Sequence, residues 1–238
     1  MAGIKSLFKD TAIYGMSSIV GRFLNWCLVP MYTYTFAAAE YGVVTNLYAY
    51  VALVLIILTY GMETGFFRFA NHDRWTDPGQ VYTTSLLSLG FTSMVFIITG
   101  CWLSPEIAVW LDCPGHASYI WMMAIAVGVD AYTSIPFAYL RYKKKPLRFA
   151  TLRLLNIAIN IGLNLFFILA CPAIWRSNPE WIGWFYNPSF GIGYIFLANL
   201  ISSLAVLLMV VPEILAENYN FNFRLLREML RYSCLLYT

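Results

Sequence analysis

Residues 190–211 read FGIGYIFLANLISSLAVLLMVV, 22 consecutive residues without a charged side chain. A helix rises 1.5 Å per residue, so about 20 apolar residues cross the ~30 Å hydrocarbon layer of a bilayer. Working outward, Thr11–Phe36, Tyr41–Phe67, Val81–Leu103, His116–Leu140 and Ala150–Ala170 are runs of the same kind and each exceeds 20 residues. Barrel strands would instead give ~10-residue alternating segments. The pattern predicts an all-α polytopic membrane protein with six transmembrane helices.

The composition of the 238 residues agrees. Hydrophobic residues make up 60% and charged ones 11%, against roughly 25% charged in a soluble domain. That excludes both a soluble globule, which lacks the polar groups to cover its surface, and a disordered chain. A net charge of +3 gives no basis for nucleic-acid binding. The five cysteines (Cys27, Cys101, Cys113, Cys171, Cys234) contain no C-x-x-C pair, and His72 and His116 stand alone, so no metal site or cofactor is expected. Cys101, Cys113 and Cys171 fall near one membrane face, where buried thiols or a single disulfide both fit.

Turn chemistry separates the runs. Ala37–Gly42 reads as a short hairpin and Asp73–Gly79 carries an Asp-Pro-Gly turn. Ser104-Pro105-Glu106 offers an N-cap, a first-turn proline and a first-turn acid, opening a short interfacial segment with Trp110 as anchor. Pro172–Ser189, with three prolines and three tryptophans, suits a loop at headgroup depth.

Charge sets the expected orientation. With a cytoplasmic N-terminus, the inner segments hold Lys5, Lys9, Arg68, Arg74, the Arg141–Arg153 cluster, Arg224, Arg227 and Arg231, which is thirteen of the fifteen basic residues. Arg176 alone is outside and Arg22 lies within the first run. This bias is the positive-inside pattern. The first run is too long, and too interrupted by Arg22, for the ~7–15-residue apolar core of a cleavable signal peptide.

Asn220–Arg231 reads as a basic amphipathic helix capped by Asn222, with Phe223, Leu226 and Leu230 as its apolar stripe. Tyr232–Thr238 then resembles the entry to a seventh span, so the chain is expected to be a fragment.

Ionisable groups inside spans are costly and mark candidate sites. Arg22 lies near mid-bilayer, where insertion costs about 2.5–3.5 kcal/mol. Tyr14, Ser18, Arg22 and Asn25 share one helical face. Arg22 either meets a substrate anion or pairs with an acid on another helix. Asp130, followed by Thr133, Ser134 and Pro136, reads as a proton or cation site or as that partner. Glu63 is a weaker candidate for ion coupling because it lies nearer the inner end. Asn156, Asn160 and Asn164 repeat at i+4, three residues after Arg153. Their amides either join helices or line a cavity and bind sugar hydroxyls. Gly15, Gly21, Gly61 and Gly65 are expected to allow close helix packing.

Enzyme signatures are thin. His72 and Asp77 have a spacing used by some acyltransferases, with no oxyanion donor or second motif beside them. No phosphate loop, nucleophile elbow or carboxylate pair is present.

Several segments resemble a known family: Lys9-Asp10-Thr11, Tyr14-Gly15, Gly21-Arg22, Pro30-Met31-Tyr32, Glu40-Tyr41-Gly42 and Gly61-Met62-Glu63-Thr64-Gly65-Phe66-Phe67-Arg68. They are similar to the N-terminal part of Wzx-like polysaccharide flippases, the polysaccharide biosynthesis proteins of the multidrug/oligosaccharidyl-lipid/polysaccharide exporter superfamily. The resemblance implies two six-helix lobes around a central cavity. Residues 1–212 would form the N-terminal lobe, 213–231 a cytoplasmic amphipathic linker and 232–238 the start of the seventh helix, with the C-terminal lobe missing. It implies transfer of an undecaprenyl-pyrophosphate-linked oligosaccharide across the bacterial inner membrane by a multi-pass protein with a cytoplasmic N-terminus, surrounded by membrane lipids. Arg22 matches a basic position on the family's first helix. With it, Asn25, Asn156, Asn160 and Asn164 are expected to face substrate, and Asp130 and Glu63 to couple to H⁺ or Na⁺. A drug or cation antiporter of the same superfamily, a membrane-embedded glycosyl- or acyltransferase, and a structural scaffold are the alternatives. The antiporter fits less well, since cationic substrates favour acids over arginine.

Overall fold

In the computed structural model, the described residues are 15, 16, 19–21, 23, 24, 26–71, 77–111 and 113–236. They form an all-α polytopic membrane protein with no strand among them. Among the described residues, five stretches are long and apolar enough to cross a membrane: Ala38–Ala70, Pro78–Trp102, Ala117–Tyr142, Pro146–Ser177 and Gly193–Ile214. The first expected run is described only in part, ending in α1 (Leu28–Thr35).

The second run is not one helix. It comprises α2 (Ala38–Thr59) and α3 (Met62–Ala70), separated by Tyr60 at φ 33° and Gly61 at φ 67°. Glycine adopts this left-handed conformation without steric penalty, whereas Tyr60 does so under strain. The Tyr60 hydroxyl holds the turn through a 2.9 Å hydrogen bond with Ser88. Gly61 thus marks a break between the two helices. Gly65 faces Met229 and Ser233, where an added Cβ would make ordinary contact at 3.6 Å.

α4 (Pro78–Trp102) starts as the Asp-Pro-Gly turn predicts: Asp77 accepts from the Gly79 amide at 2.9 Å with Pro78 in the first turn. In the short α5 (Ser104–Trp110), Ser104 is not a cap but already helical, and its hydroxyl donates to the Cys101 carbonyl. α6 (Ala117–Tyr142) is the central helix, packing on α2, α3, α4, α5 and α10. Small residues permit that crowding. A Cβ on Gly128 would stand 2.5 Å from Ile97 Cγ1, and one on Gly100 2.8 Å from Ala124 Cβ. By contrast, Ile57, Phe91 and Leu208 remain more than 70% exposed. Such apolar surface is a liability in water and matched in lipid.

α7 (Pro146–Leu165) continues beyond its expected end through a π-helical turn, Phe166–Ala170, into α8 (Cys171–Ser177). Residues 172–177 are therefore helical and not part of a headgroup loop. The wider turn immediately precedes Pro172, whose ring would crowd the carbonyl of Ile168 in a regular helix. Two small elements, α9 (Pro179–Ile182) and a 3₁₀ turn at Pro188–Phe190, lead to α10 (Gly193–Ile214).

α11 (Phe223–Leu236) runs without interruption past Tyr232. Asn222 caps it as predicted, accepting from the amides of Arg224 and Leu225 at 3.0 and 3.1 Å. Its buried stripe is Leu225, Met229 and Ser233, while Phe223 is 73% exposed. The expected stripe of Phe223, Leu226 and Leu230 is offset because Leu225 and Met229 pack into the buried cluster of Met62, Phe66 and Leu86. The end of α10 and the segment that follows it are tied to the bundle's basic end. Tyr139 donates to Glu217, Lys143 Nζ approaches the same carboxylate at 3.3 Å, Tyr82 donates to the Glu213 carbonyl, and Arg148 pairs with Glu213 at 3.0 Å. The Tyr139 hydrogen bond, then Lys143, hold the Glu217 carboxyl below its ordinary range, against the opposing effect of burial.

Candidate functional site

Helical spacing places Arg153, Asn156 and Asn160 on one face of α7, at i, i+3 and i+7. That face borders two adjacent cavities of about 320 Å³ each, and Asn156 lines both. The first lies among α1, α2, α7 and α10 and is lined by Tyr32, Tyr48, Asn160, Asn199 and Ser202 besides Asn156. The second is bounded by Thr59, Glu63, Asp130, Thr133, Ser134 and Arg153, nearer the basic end.

Charges gather in the second cavity. Glu63, in the first turn of α3, forms an ion pair with Arg141 at the end of α6. Arg141 also faces the Phe67 ring at 5.4 Å. Asp130 lies near Ser203 of α10 and feels the positive charge of Arg153. The Arg153 guanidinium lies 4.5 Å from the centre of the Phe137 ring. It forms no hydrogen bond or ion pair with another described residue. Its planar set of donors is therefore available, the property that lets arginine grip a phosphate or carboxylate with two bonds.

The asparagine stripe divides by role. Asn164 is buried and turns back on α7, its Nδ2 donating to the Asn160 carbonyl at 2.8 Å and to Asn160 Oδ1 at 3.2 Å. Asn160 Nδ2 donates to Ser202 Oγ on α10 at 3.3 Å, joining two helices while still lining the first cavity. Asn156 hydrogen-bonds no other described residue and faces both spaces. Of the three amides, Asn156 and Asn160 reach a cavity and Asn164 does not.

Other sequence candidates fall elsewhere. Arg22, Asn25, Tyr14 and Ser18 lie outside the described residues, as does His72. Neighbouring Gly21 is described, and a Cβ there would meet Ile157 Cδ1 at 2.5 Å, so the first span runs close to the wall of the first cavity. Asp77 serves as the cap of α4. Two basic residues gain importance that their sequence position hides. Arg153 was legible as a neighbour of the asparagine stripe, whereas the pairing of Arg141 with Glu63 spans 78 positions and leaves no local signal.

The family model described as "Polysaccharide biosynthesis protein" matches residues 36–176. That is more than half of the chain and includes Glu63, Asp130, Arg141, Arg153, Asn156 and Asn160. No curated protein and no solved structure matches the chain. A membrane bundle with a charged and an amide-lined cavity, matched over its central helices, belongs to the polysaccharide biosynthesis protein family.

Proposed function

We propose that the protein carries a lipid-linked oligosaccharide, of the undecaprenyl-pyrophosphate type, across the bacterial inner membrane. The observation that carries this reading is Arg153, which faces a cavity without an ion pair to any other described residue and stands beside Asn156, which opens on a polar space lined by no charged residue among those described. A pyrophosphate-sugar headgroup cannot enter hydrocarbon alone, because each desolvated charge lacking a partner is costly. Arginine supplies charge-assisted bonds to the phosphate oxygens and the amides supply bonds to hydroxyls, while the lipid tail stays in the bilayer. Arg22 and Asn25, on the first span, serve the same substrate. Asp130 and Glu63 couple the cycle to H⁺ or Na⁺. One elementary charge moving across 100 mV supplies about 2.3 kcal/mol. Residues 1–212 act as one lobe, 213–231 as the linker, and the lobes alternate access with the basic end towards the cytoplasm. A free arginine beside the cavity disfavours the cationic substrates of the antiporter reading.

The test is complementation of a flippase-null strain by the full-length gene, wild type against Arg22→Ala, with glycan export scored at equal expression. Restored export by wild type and loss in the variant are expected. Normal export by Arg22→Ala would remove that residue from the mechanism. Failure of wild type with a range of lipid-linked glycans would refute the carrier role.

A further inference from the structure

α11 crosses the bundle and does not run along it. The amide of its cap, Asn222, donates to Thr84 Oγ1 at 3.2 Å near the start of α4. Further on, Met229 accepts from the Ser85 hydroxyl at 3.9 Å and faces Gly65, and Tyr232 packs on Phe69 of α3. These partners all fall in the first two turns of α4 or the last two turns of α3. Both helices end stretches that can cross a membrane, so α11 keeps one depth along its length, at the surface of the bilayer. Lys143, Lys144, Lys145 and Arg148 lie at the same end of the bundle.

The two sides of α11 differ. Leu225, Met229 and Ser233 are buried on the bundle. Opposite them Phe223, Arg227 and Leu230 stand at i, i+4 and i+7, with Arg224 and Arg231 beside them, and all five are exposed. The acid of the helix, Glu228, lies 3.9 Å from Arg224 on the flank of this face. Arg68 of α3, 4.1 Å from the centre of the Tyr232 ring, extends the positive field past it. The nearby acids Glu213 and Glu217 are engaged by Arg148 and Lys143. Such a face suits neither water, where Phe223 and Leu230 gain nothing, nor hydrocarbon, where three arginines are costly. The headgroup layer accommodates both, since the apolar side chains reach the acyl boundary while the guanidinium groups grip phosphate oxygens. A second copy of the same face would set arginines against arginines.

We propose that the outer face of α11 is a docking surface for anionic phospholipid, in the leaflet that meets the basic end of the bundle. Arg224, Arg227 and Arg231 hold the headgroups, and Phe223 and Leu230 enter the acyl boundary. The bound lipid clamps the segment after α10 onto α3 and α4. A zwitterionic lipid carries the same phosphate, but its own cation cancels the field that attracts a basic face.

The test measures deuterium uptake by α11 in the full chain, in nanodiscs of phosphatidylcholine alone and of phosphatidylcholine mixed with phosphatidylglycerol. An arginine at an anionic surface is worth about fivefold, so three are expected to slow exchange over residues 226–233 by about 100-fold in the mixed bilayer. High salt should shrink the effect. Replacing Arg224, Arg227 and Arg231 together with glutamine is expected to abolish it. Uptake in phosphatidylcholine reports whether α11 stays docked in that variant, and if it does not, Arg227→Gln alone carries the test, with an expected loss of about fivefold. Lys144→Gln combined with Lys145→Gln, two exposed charges at the same end, should leave the slowing intact. Equal exchange in the two bilayers overturns the proposal and leaves the face to a protein partner. Slowing that survives the arginine substitutions, or that the lysine substitutions remove equally, overturns it as well.

Discussion

Replacing Arg153 with glutamine isolates the anion-binding group. The side chain makes no ion pair with another described residue, so its loss leaves no carboxylate stranded in a salt bridge. What the fold forfeits is the contact with Phe137 at 4.5 Å, about 0.5–1 kcal/mol for such a cation–π pair, and the attraction between its charge and Asp130. What the ligand forfeits is larger. A hydrogen bond to a charged group contributes about 1.5–3 kcal/mol, so affinity for undecaprenyl pyrophosphate falls about 10- to 150-fold. Arg153→Lys restores part of the loss, since it keeps the charge but not the two-pronged geometry. Arg148→Gln is the control: it removes the same charge from a residue occupied by Glu213 and the Met209 carbonyl at the basic end. Binding in nanodiscs, with thermal unfolding measured in parallel, separates the two effects. Equal weakening by Arg148→Gln and Arg153→Gln would mean that only overall charge matters, and would refute a specific role for Arg153.

Three other perturbations test the architecture. Gly61→Ala forces a second side chain into the left-handed region at φ 67°, costing about 1–2 kcal/mol. Thermal unfolding in detergent should drop accordingly, and an unchanged midpoint would contradict the break. Asn222→Ala removes the cap of α11, with an expected loss of about 1 kcal/mol. Hydrogen exchange should rise first at the amides of Arg224 and Leu225, and equal exchange in both proteins would exclude the cap. Glu217 has a depressed pKa, so its contribution to docking the 213–222 segment is complete above the ordinary value of 4.5. As pH falls through the lower folded-state value, that contribution is lost. Proteolysis of the segment should increase on acidification in the wild type, and an identical profile in Glu217→Gln would rule the carboxylate out.

Hydropathy exposes the spans because burial in lipid imposes the same demand on every residue of a run. Breaks inside a run are hidden from it. Tyr60 and Gly61 are apolar enough to pass as helix, and the left-handed turn depends on a tyrosine hydroxyl meeting Ser88, 28 positions away. The π turn before Pro172 is hidden for the same reason, since the proline alone reads as a loop. In α11 two stripes satisfy the helical period, and the cluster of Met62, Phe66 and Leu86 selects the one with Leu225 and Met229. The asparagine spacing correctly places one face of α7, but whether an amide meets a cavity or its own helix depends on the neighbouring α10. Asn164 illustrates the second outcome.

The Tyr60–Gly61 turn also changes the backbone electrostatics of the membrane interior. A continuous 33-residue helix over Ala38–Ala70 would place its terminal partial charges at the two surfaces. Because the helix restarts at Met62, the amides of Met62, Glu63 and Thr64 have no carbonyl partner within α3, and no side chain caps them. Roughly half a positive charge accordingly accompanies them into the bundle, on the first turn that carries Glu63. Peptide groups opened in this way are compatible with a bilayer only beside protein or water. The second cavity, which Thr59 and Glu63 border, provides that polar surrounding. Its solvation is therefore a requirement of the backbone as well as of the charged side chains.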